Sequence, residues 1–571
     1  FPIAPAMPNS AVPIKAWVYL VFFVCVNFTL GALYSFSFWK VGFFKYFPQC
    51  DNISNITKVS RANPVTLTFE KRHGFVTGRD VQVSGVSGHG WDALLGSKEK
   101  VTVVSETEIQ LDGVDGAGAG TPQLSGAQAE EVTAGRCWTT ADLTTTYGLG
   151  AVGAFICVVP GWIIDKFGPI VAGIYGLVLI NVGYGSIIAL LGGGSATPTE
   201  VGLLYMVEEQ GSATLFMLVF CLAMPAFPQQ FSGLVGGAVS VSYGMSSLLW
   251  QIICPSFGFH SDSTFINDTN LKGFLILILI CMDTAGVLML IFSRGTPRAE
   301  EELGGSAAGG SLALTSTGSF TNLPAMNPDG PLAQAMLNPK GKAQKLPDVF
   351  CNLDFIVIFV LFGFVSSQGT SFFGYLSNVP TAFSGLNSDA YGALAFNSNT
   401  WSRIIYGVAM DGLYAWSGPK AAIGGVLFIH LSYCFFFGVY FIAGFASAGF
   451  NGFLLYISQV FGFAAYGGSN PIVSAHVKAV FAENRIGLVM GMFYTIIAFM
   501  NLFFSNVFGP ANSTGDPSLY VPSDFRRPWT LAVLCAFGSL PLTLVWVLRA
   551  LWRGRQVRLS EGRNLEMGGT A

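Results

Sequence analysis

Few residues of this 571-residue chain could do chemistry in an apolar medium. Arg403 lies in FNSNTWSRIIYGVAMD, part of an apolar run where an ionised side chain costs about 2.5–3.5 kcal/mol on insertion scales. Asn399, Arg403, Gly407 and Asp411 are spaced by four and so share one helical face. A guanidinium offers a planar fork that matches a carboxylate, so this face could bind an organic acid. The alternative is a structural arginine, paired with Asp283 or with a backbone carbonyl. Asp283, in ICMDTAG, reads as the one carboxylate near the middle of an apolar run: a counter-ion for Arg403, a proton carrier, or a packing residue facing water. His430, in LFIHLSY, could exchange a proton or be a hydrogen-bonded core residue. Tyr34 and Gln368 are further polar candidates for lining a cavity, with Ser35, Ser37, Tyr147, Tyr243 and Ser246. No metal-ligand cluster of His and Cys, no phosphate-binding G-x-x-x-x-G-K-(S/T) and no G-x-S-x-G elbow occurs. The expectation is therefore no enzyme: no catalytic residue, no metal and no cofactor.

The elements that must carry these residues are membrane helices. The chain is 51% hydrophobic and 11% charged, with 50 Phe and a mean hydropathy of +0.54, whereas soluble chains have about 25% charged residues. Apolar runs of about 20 residues fall at 16–44, 142–164, 169–192, 212–229, 233–255, 272–293, 354–379, 390–411, 421–444, 447–474, 487–508 and 529–552. The fold class read from them is an all-α polytopic membrane protein. It has twelve transmembrane helices in two six-helix halves and a small β insertion between helices 1 and 2. The first half spans 1–293, with the β module at 62–115; a Gly/Ser/Pro-rich linker follows at 294–350, then the second half at 351–553 and a tail at 554–571. The module shows alternation in DVQVSGV, KVTVVSE and TEIQLDG. The first apolar run is longer than the 7–15 residues of a signal-peptide core, and the chain opens at Phe1, consistent with a missing N-terminal segment. A net charge of -3 gives no reason to expect nucleic acid; the expected partners are the lipid bilayer, a small solute and protons.

Lys and Arg outside the spans, among them Lys166, Arg294, Lys340, Lys420, Lys478, Arg485 and Arg553, fall on the side shared by both termini, with Arg526 and Arg527 as the short-loop exceptions, and that side is read as cytoplasmic. Sequons at Asn52, Asn55, Asn267 and Asn512 fall on the other side, as glycosylation requires; Asn27 also fits the pattern but lies inside a span. Cys50 and Cys137 flank the β module, where a disulfide would tether its base. The expected location is a plasma membrane or endomembrane.

Two landmarks repeat. Gly161-x-x-x-Asp165 at the end of the second span recurs as Gly407-x-x-x-Asp411 at the end of the eighth, each followed by Gly-Pro (Gly168-Pro169, Gly418-Pro419). Gly233-Leu234-Val235-Gly236-Gly237 opens the fifth span, and Gly487-Leu488-Val489-Met490-Gly491 opens the eleventh. GWIIDKFGP, Gly161 to Pro169, resembles the G-x-x-x-D-(R/K)-x-G signature of the major facilitator superfamily, in the loop between helices 2 and 3 that carries it there. GALYSFSFW, DKFGPIVAGIYGLVLINVGYG and FSGLVGGAVSVSYGMSSL resemble its nodulin-like, oxalate/formate-antiporter and monocarboxylate-transporter branch.

The resemblance implies a monomeric secondary transporter that works by alternating access. It implies that Gly161, Asp165, Lys166 and Gly168 latch onto the start of span 11, near Lys478, Arg485, Gly487 and Gly491, with Gly407 and Asp411 as the echo. Without the resemblance, Asp165 could be a solvated loop residue. The resemblance also makes Arg403, four residues before Gly407, a substrate-carboxylate ligand. Departures narrow the solute: Phe38 stands where the monocarboxylate family has its helix-1 lysine, span 11 carries no lysine and span 4 no arginine. One buried cation suits a monoanion, or a zwitterion shared with Asp283. The expected function is thus transport of a monocarboxylate-type organic anion. An amino-acid transporter, or a surface receptor or adhesin using the β module, is the alternative; the module's HGF-x-TG pattern resembles β repeats of phage-tail-type and adhesin-like proteins.

Overall fold

The computed structural model describes, apart from short gaps, residues 12–31, 53–131, 138–256, 270–294, 346–361, 386–481, 485–508 and 526–568, with scattered residues between 36 and 47 and between 363 and 383. Most of them are helical: α1 (Ile14–Leu30), α2 (Thr140–Phe155), α3 (Val158–Phe167), α4 (Pro169–Gly193), α5 (Pro198–Ala223), α6 (Ser232–Gly244), α7 (Ser246–Ser256) and α8 (Leu271–Ser293) in the first part. The second part holds α9 (Leu353–Leu361), α10 (Ser388–Ser417), α11 (Lys420–Phe445), α12 (Gly452–Val480), α13 (Ile486–Phe508) and α14 (Arg526–Gly568). Among the described residues, six helical stretches are long and apolar enough to cross a membrane: Thr145–Phe167, Pro169–Leu191, Pro198–Ala226, Leu271–Ser293, Gly424–Phe445 and Trp529–Arg549. Their outward faces expose Val178 and Val182 on α4, Ile280 and Ile291 on α8, and Leu534 and Leu548 on α14. Apolar surface of this extent is tolerated only against lipid. The chain is an integral, multi-pass membrane protein.

Helix ends follow local chemistry. Gly168, at φ 84°, closes α3 by donating its N–H to the Ile164 carbonyl at 3.0 Å, and α4 starts at the next residue. Thr197 opens α5 with a capping box: its hydroxyl accepts from the Glu200 N–H at 3.1 Å while its own N–H donates to the Glu200 carboxylate at 2.7 Å, with Pro198 in the first turn. Consequently α5 starts fourteen residues before the 212 expected from hydropathy and carries Glu208 and Glu209 into the bundle. The reading of Asp283 as the one carboxylate within an apolar span is corrected here. α14 continues through 554–568, the stretch read as a tail. Most of the linker at 294–350 lies outside the described residues.

Two apolar cores build the bundle. One joins α1–α8 with Val477, Val489 and Phe493 of α12 and α13. The other joins α9–α12 with Trp529 and Ala532 of α14. A third core belongs to a separate β module, a closed barrel of six antiparallel strands: β1 (Ile53–Val59), β2 (Val65–Phe69), β3 (Asp80–Ser87), β4 (Lys98–Ser105), β5 (Glu108–Leu111) and β6 (Gln123–Glu131). They are ordered β1-β2-β5-β4-β3-β6 and closed by β1 on β6, with Ile53 opposite Glu130. Closure removes free strand edges. Val65, Leu67, Val81, Val101, Ile109 and Leu111 fill the interior. Trp91 plugs it, fully buried, with its indole N–H on the Gly120 carbonyl at 2.7 Å. β1 and β6 extend the module beyond the 62–115 read from alternation.

Candidate functional site

The repeated glycines and aspartates meet at the end of the bundle opposite the barrel. Asp165, at the end of α3, accepts the N–H of Gly487 at 3.1 Å and of Leu488 at 2.7 Å. Asp411, on α10, accepts the N–H of Gly233 at 2.7 Å and of Leu234 at 2.6 Å. Each carboxylate thus satisfies two first-turn N–H groups of a helix from the other half, α13 or α6, which have no partner within their own helix. The helix dipole adds to both contacts. Glycine permits the approach. A methyl group on Gly161 would run into the Gly487 carbonyl, and one on Gly407 into that of Gly233. One turn further on, Gly491 faces the backbone of Cys157, and Gly237 faces that of Arg403. The same four-point contact is therefore built twice, with the halves exchanged. Lys166, expected in the latch, instead sits exposed with its ammonium over the rings of Trp162 (4.8 Å) and Phe167 (5.1 Å), as a snorkelling lysine does. Gly418 lies outside the described residues.

The second contact positions Arg403. Its backbone lies on Gly237 and its guanidinium on Gly244, seven residues on and on the same face of α6. The side chain is 3% exposed. Nη1 donates to the Ser240 carbonyl, Nη2 reaches the Asn399 side-chain oxygen only at 3.5 Å, and Nε has no hydrogen-bond partner among the described residues. Among the described residues no carboxylate lies within ion-pairing distance of it. Arg403 borders a space of about 30 Å³ between the halves, lined also by Cys157, Phe216, Tyr243, Asn470 and Tyr494. That volume holds water rather than an organic solute. A buried cation with donors to spare is costly unless an anion completes it.

The other expected residues are dispersed. Asp283, on α8, accepts from the Asn181 amide of α4 at 2.6 Å, so it is not the counter-ion of Arg403 in this arrangement. His430 is buried between α11 and α14, with Nδ1 2.8 Å from the Thr543 hydroxyl and Nε2 2.7 Å from the Ala536 carbonyl. Gln368 is buried. Asn27 donates to the Val239 carbonyl at 2.7 Å and to Ser242 at 3.0 Å, fastening α1 to α6. Asn55 is exposed on β1, and its side-chain oxygen accepts from Gln128 at 3.1 Å. Tyr34, Asn52, Asn267, Asn512, Cys50 and Cys137 lie outside the described residues.

Two features were missed in the sequence. Lys478, on α12, donates to the carbonyls of Met224 (2.6 Å) and Phe227 just beyond α5, a third tie between the halves. Glu208 and Glu209 are fully buried. The capping box T-P-T-E at Thr197 to Glu200 is the signal that would have found them, because it starts a helix more than two turns ahead of the apolar run.

No protein-family model and no curated protein matches the sequence. Among solved structures, the chain is similar to a bacterial homologue of the iron transporter ferroportin in an outward-facing state with soaked iron, at 14% identity over 71% of this chain and 90% of that one, TM-score 0.47. It is similar to the proton:xylose symporter XylE of the major facilitator superfamily bound to 6-bromo-6-deoxy-D-glucose, at 13% identity over 70% and 86%, TM-score 0.43. It is also similar to the human organic anion transporter TETRAN, at 13% identity over 70% and 83%, TM-score 0.43.

Proposed function

We propose that this chain is a secondary transporter of the major facilitator superfamily, from its nodulin-like, oxalate/formate and monocarboxylate branch, that moves a small organic anion of the monocarboxylate type. One observation carries the reading: Arg403 is buried between the halves with an Nε–H and a charge that find neither an acceptor nor a carboxylate partner among the described residues. A carboxylate solute would supply the missing acceptors in a two-pronged contact. Asn399, beside the guanidinium, and Tyr34 and Gln368 would complete the lining.

The paired latches supply the moving part. With Asp165 on α13 and Asp411 on α6, the halves are held together at the end opposite the barrel. Opening that end breaks both contacts at once and frees first-turn N–H groups to water. Because the contacts are built alike on the two sides, a rocking of one half against the other releases them together. This is alternating access around a fixed site. In this reading the protein acts as a monomer with both termini cytoplasmic, and the barrel stands outside, tethered by Cys50 and Cys137. The exposure of Asn55 on the barrel surface supports that orientation.

The test is counterflow of labelled L-lactate, pyruvate and larger monocarboxylates in proteoliposomes. Trapping of at least one of them by the wild type, and its loss in Arg403→Ala with the protein still in the membrane, is expected. Unaltered uptake by Arg403→Ala would remove the site assignment.

A further inference from the structure

We propose that Glu208 and Glu209 form a proton-binding carboxyl pair, and that protons loaded there drive the solute across; the coupling, though not the proton site, rests on the transport reading above. The two side chains are neighbours in α5 and fully buried, and among the described residues none of their four carboxyl oxygens has a hydrogen-bond partner and neither has a cation within ion-pairing distance. Two adjacent buried carboxylates with neither counter-charge nor hydrogen-bond donor cannot both stay ionised, and binding a proton resolves the conflict.

The surroundings are built to keep water out and to offer hydroxyls. Gly183 of α4 lets that helix close onto α5 at Glu208, and Gly150 of α2 makes room for the Tyr205 ring, which Phe36 stacks at 5.3 Å. Among the described residues the ionisable groups near the pair are phenols: Tyr184 from α4 and Tyr205 from α5 itself, both fully buried, with Tyr243 of α6 further off. α1 and α2 bring no charged group to it among the described residues.

The pair also has a route to the solute space. Glu209, Ser212 and Phe216 lie on one face of α5, and Phe216 lines the space beside Arg403. The Ser212 hydroxyl donates to the Leu30 carbonyl and lies 3.5 Å from the Tyr243 hydroxyl, which borders the same space. Loading adds one proton to the pair and removes one negative charge from the bundle; unloading releases that proton and restores the charge.

Infrared spectra of the wild-type protein in lipid nanodiscs, with 13C-labelled glutamate and deuterium exchange, test the site directly between about pH 5 and 8. A glutamic-acid carbonyl band that shifts with the label, and that is lost in Glu208→Gln and Glu209→Gln, is expected. Absence of the band, its persistence in both variants, or its removal by added Na⁺ or Ca²⁺ would overturn the proposal, the last by making the pair a metal-cation site. The coupling is read from labelled L-lactate in proteoliposomes with an inward proton gradient. Glu209→Gln should accumulate about tenfold less, and undiminished accumulation would overturn coupling through this pair. A wild type that shows the band and moves no solute supports the proton site while removing the transport reading.

Discussion

Replacing Asp165 by Asn tests the latch with the smallest possible change of shape. The asparagine keeps one acceptor for the Gly487 N–H and turns an amino group toward the Leu488 N–H, donor against donor. One hydrogen bond to a charged group, worth about 1.5–3 kcal/mol, is lost, and the other falls to a neutral bond of about 0.5–1.5 kcal/mol. The interaction with the α13 dipole, about 0.3–1 kcal/mol, is lost as well. Discounted for the partial exposure of Asp165, the closed state loses about 2–4 kcal/mol, or about 30- to 900-fold in the closed-to-open ratio. Asp411→Asn should cost the same, because Gly233 and Leu234 repeat the geometry. Spin labels at the exposed positions Val171→Cys on α4 and Leu413→Cys on α10, in a background lacking the exposed Cys25 and Cys351, would report the separation of the halves. A longer distance component should appear in each single variant and dominate in the double one. Identical distance distributions in wild type and both single variants would refute the reasoning.

Gly161→Ala and Gly407→Ala press a methyl group onto a facing carbonyl and should prevent closure as fully as loss of the aspartates, read from the same labelled pair. Trp91→Ala should destabilise the barrel by about 3–5 kcal/mol; limited proteolysis should then cut within 53–131 while the helical part keeps its elution volume. His430→Ala leaves Thr543 and the Ala536 carbonyl without their buried partner, at about 1–3 kcal/mol each. It should lower the melting temperature while uptake per folded molecule is retained.

What could be read from the sequence was what repeats or alternates. The Gly161/Asp165 and Gly407/Asp411 echo led to helix starts rich in glycine, and the carboxylates stand on those starts. Arg403 could be singled out because a charge in an apolar run is expensive. A backbone carbonyl and the same-face Asn399 were legible as options, but not which carbonyl, since Ser240 carries no side-chain signal, and Asp283, a plausible mate by charge alone, packs with Asn181 instead. Hydropathy hid the start of α5, since Glu208 and Glu209 depress the very average that locates a span, while the cap at Thr197 marks the true beginning. β6, QLSGAQAEE, has little strand propensity; pairing with β1 and β3 on both sides holds it, a tertiary effect that a local reading does not contain. Lys478, read as lying between two spans, is carried within α12, and its acceptors, Met224 and Phe227, are backbone carbonyls from the other half.

The measurement that bears most directly on the account is counterflow of a labelled monocarboxylate into proteoliposomes, compared between wild type and Arg403→Ala at equal protein incorporation. The account predicts that the wild type traps the label and the variant does not. Equal trapping by both, or none by the wild type across the monocarboxylate panel, would contradict it.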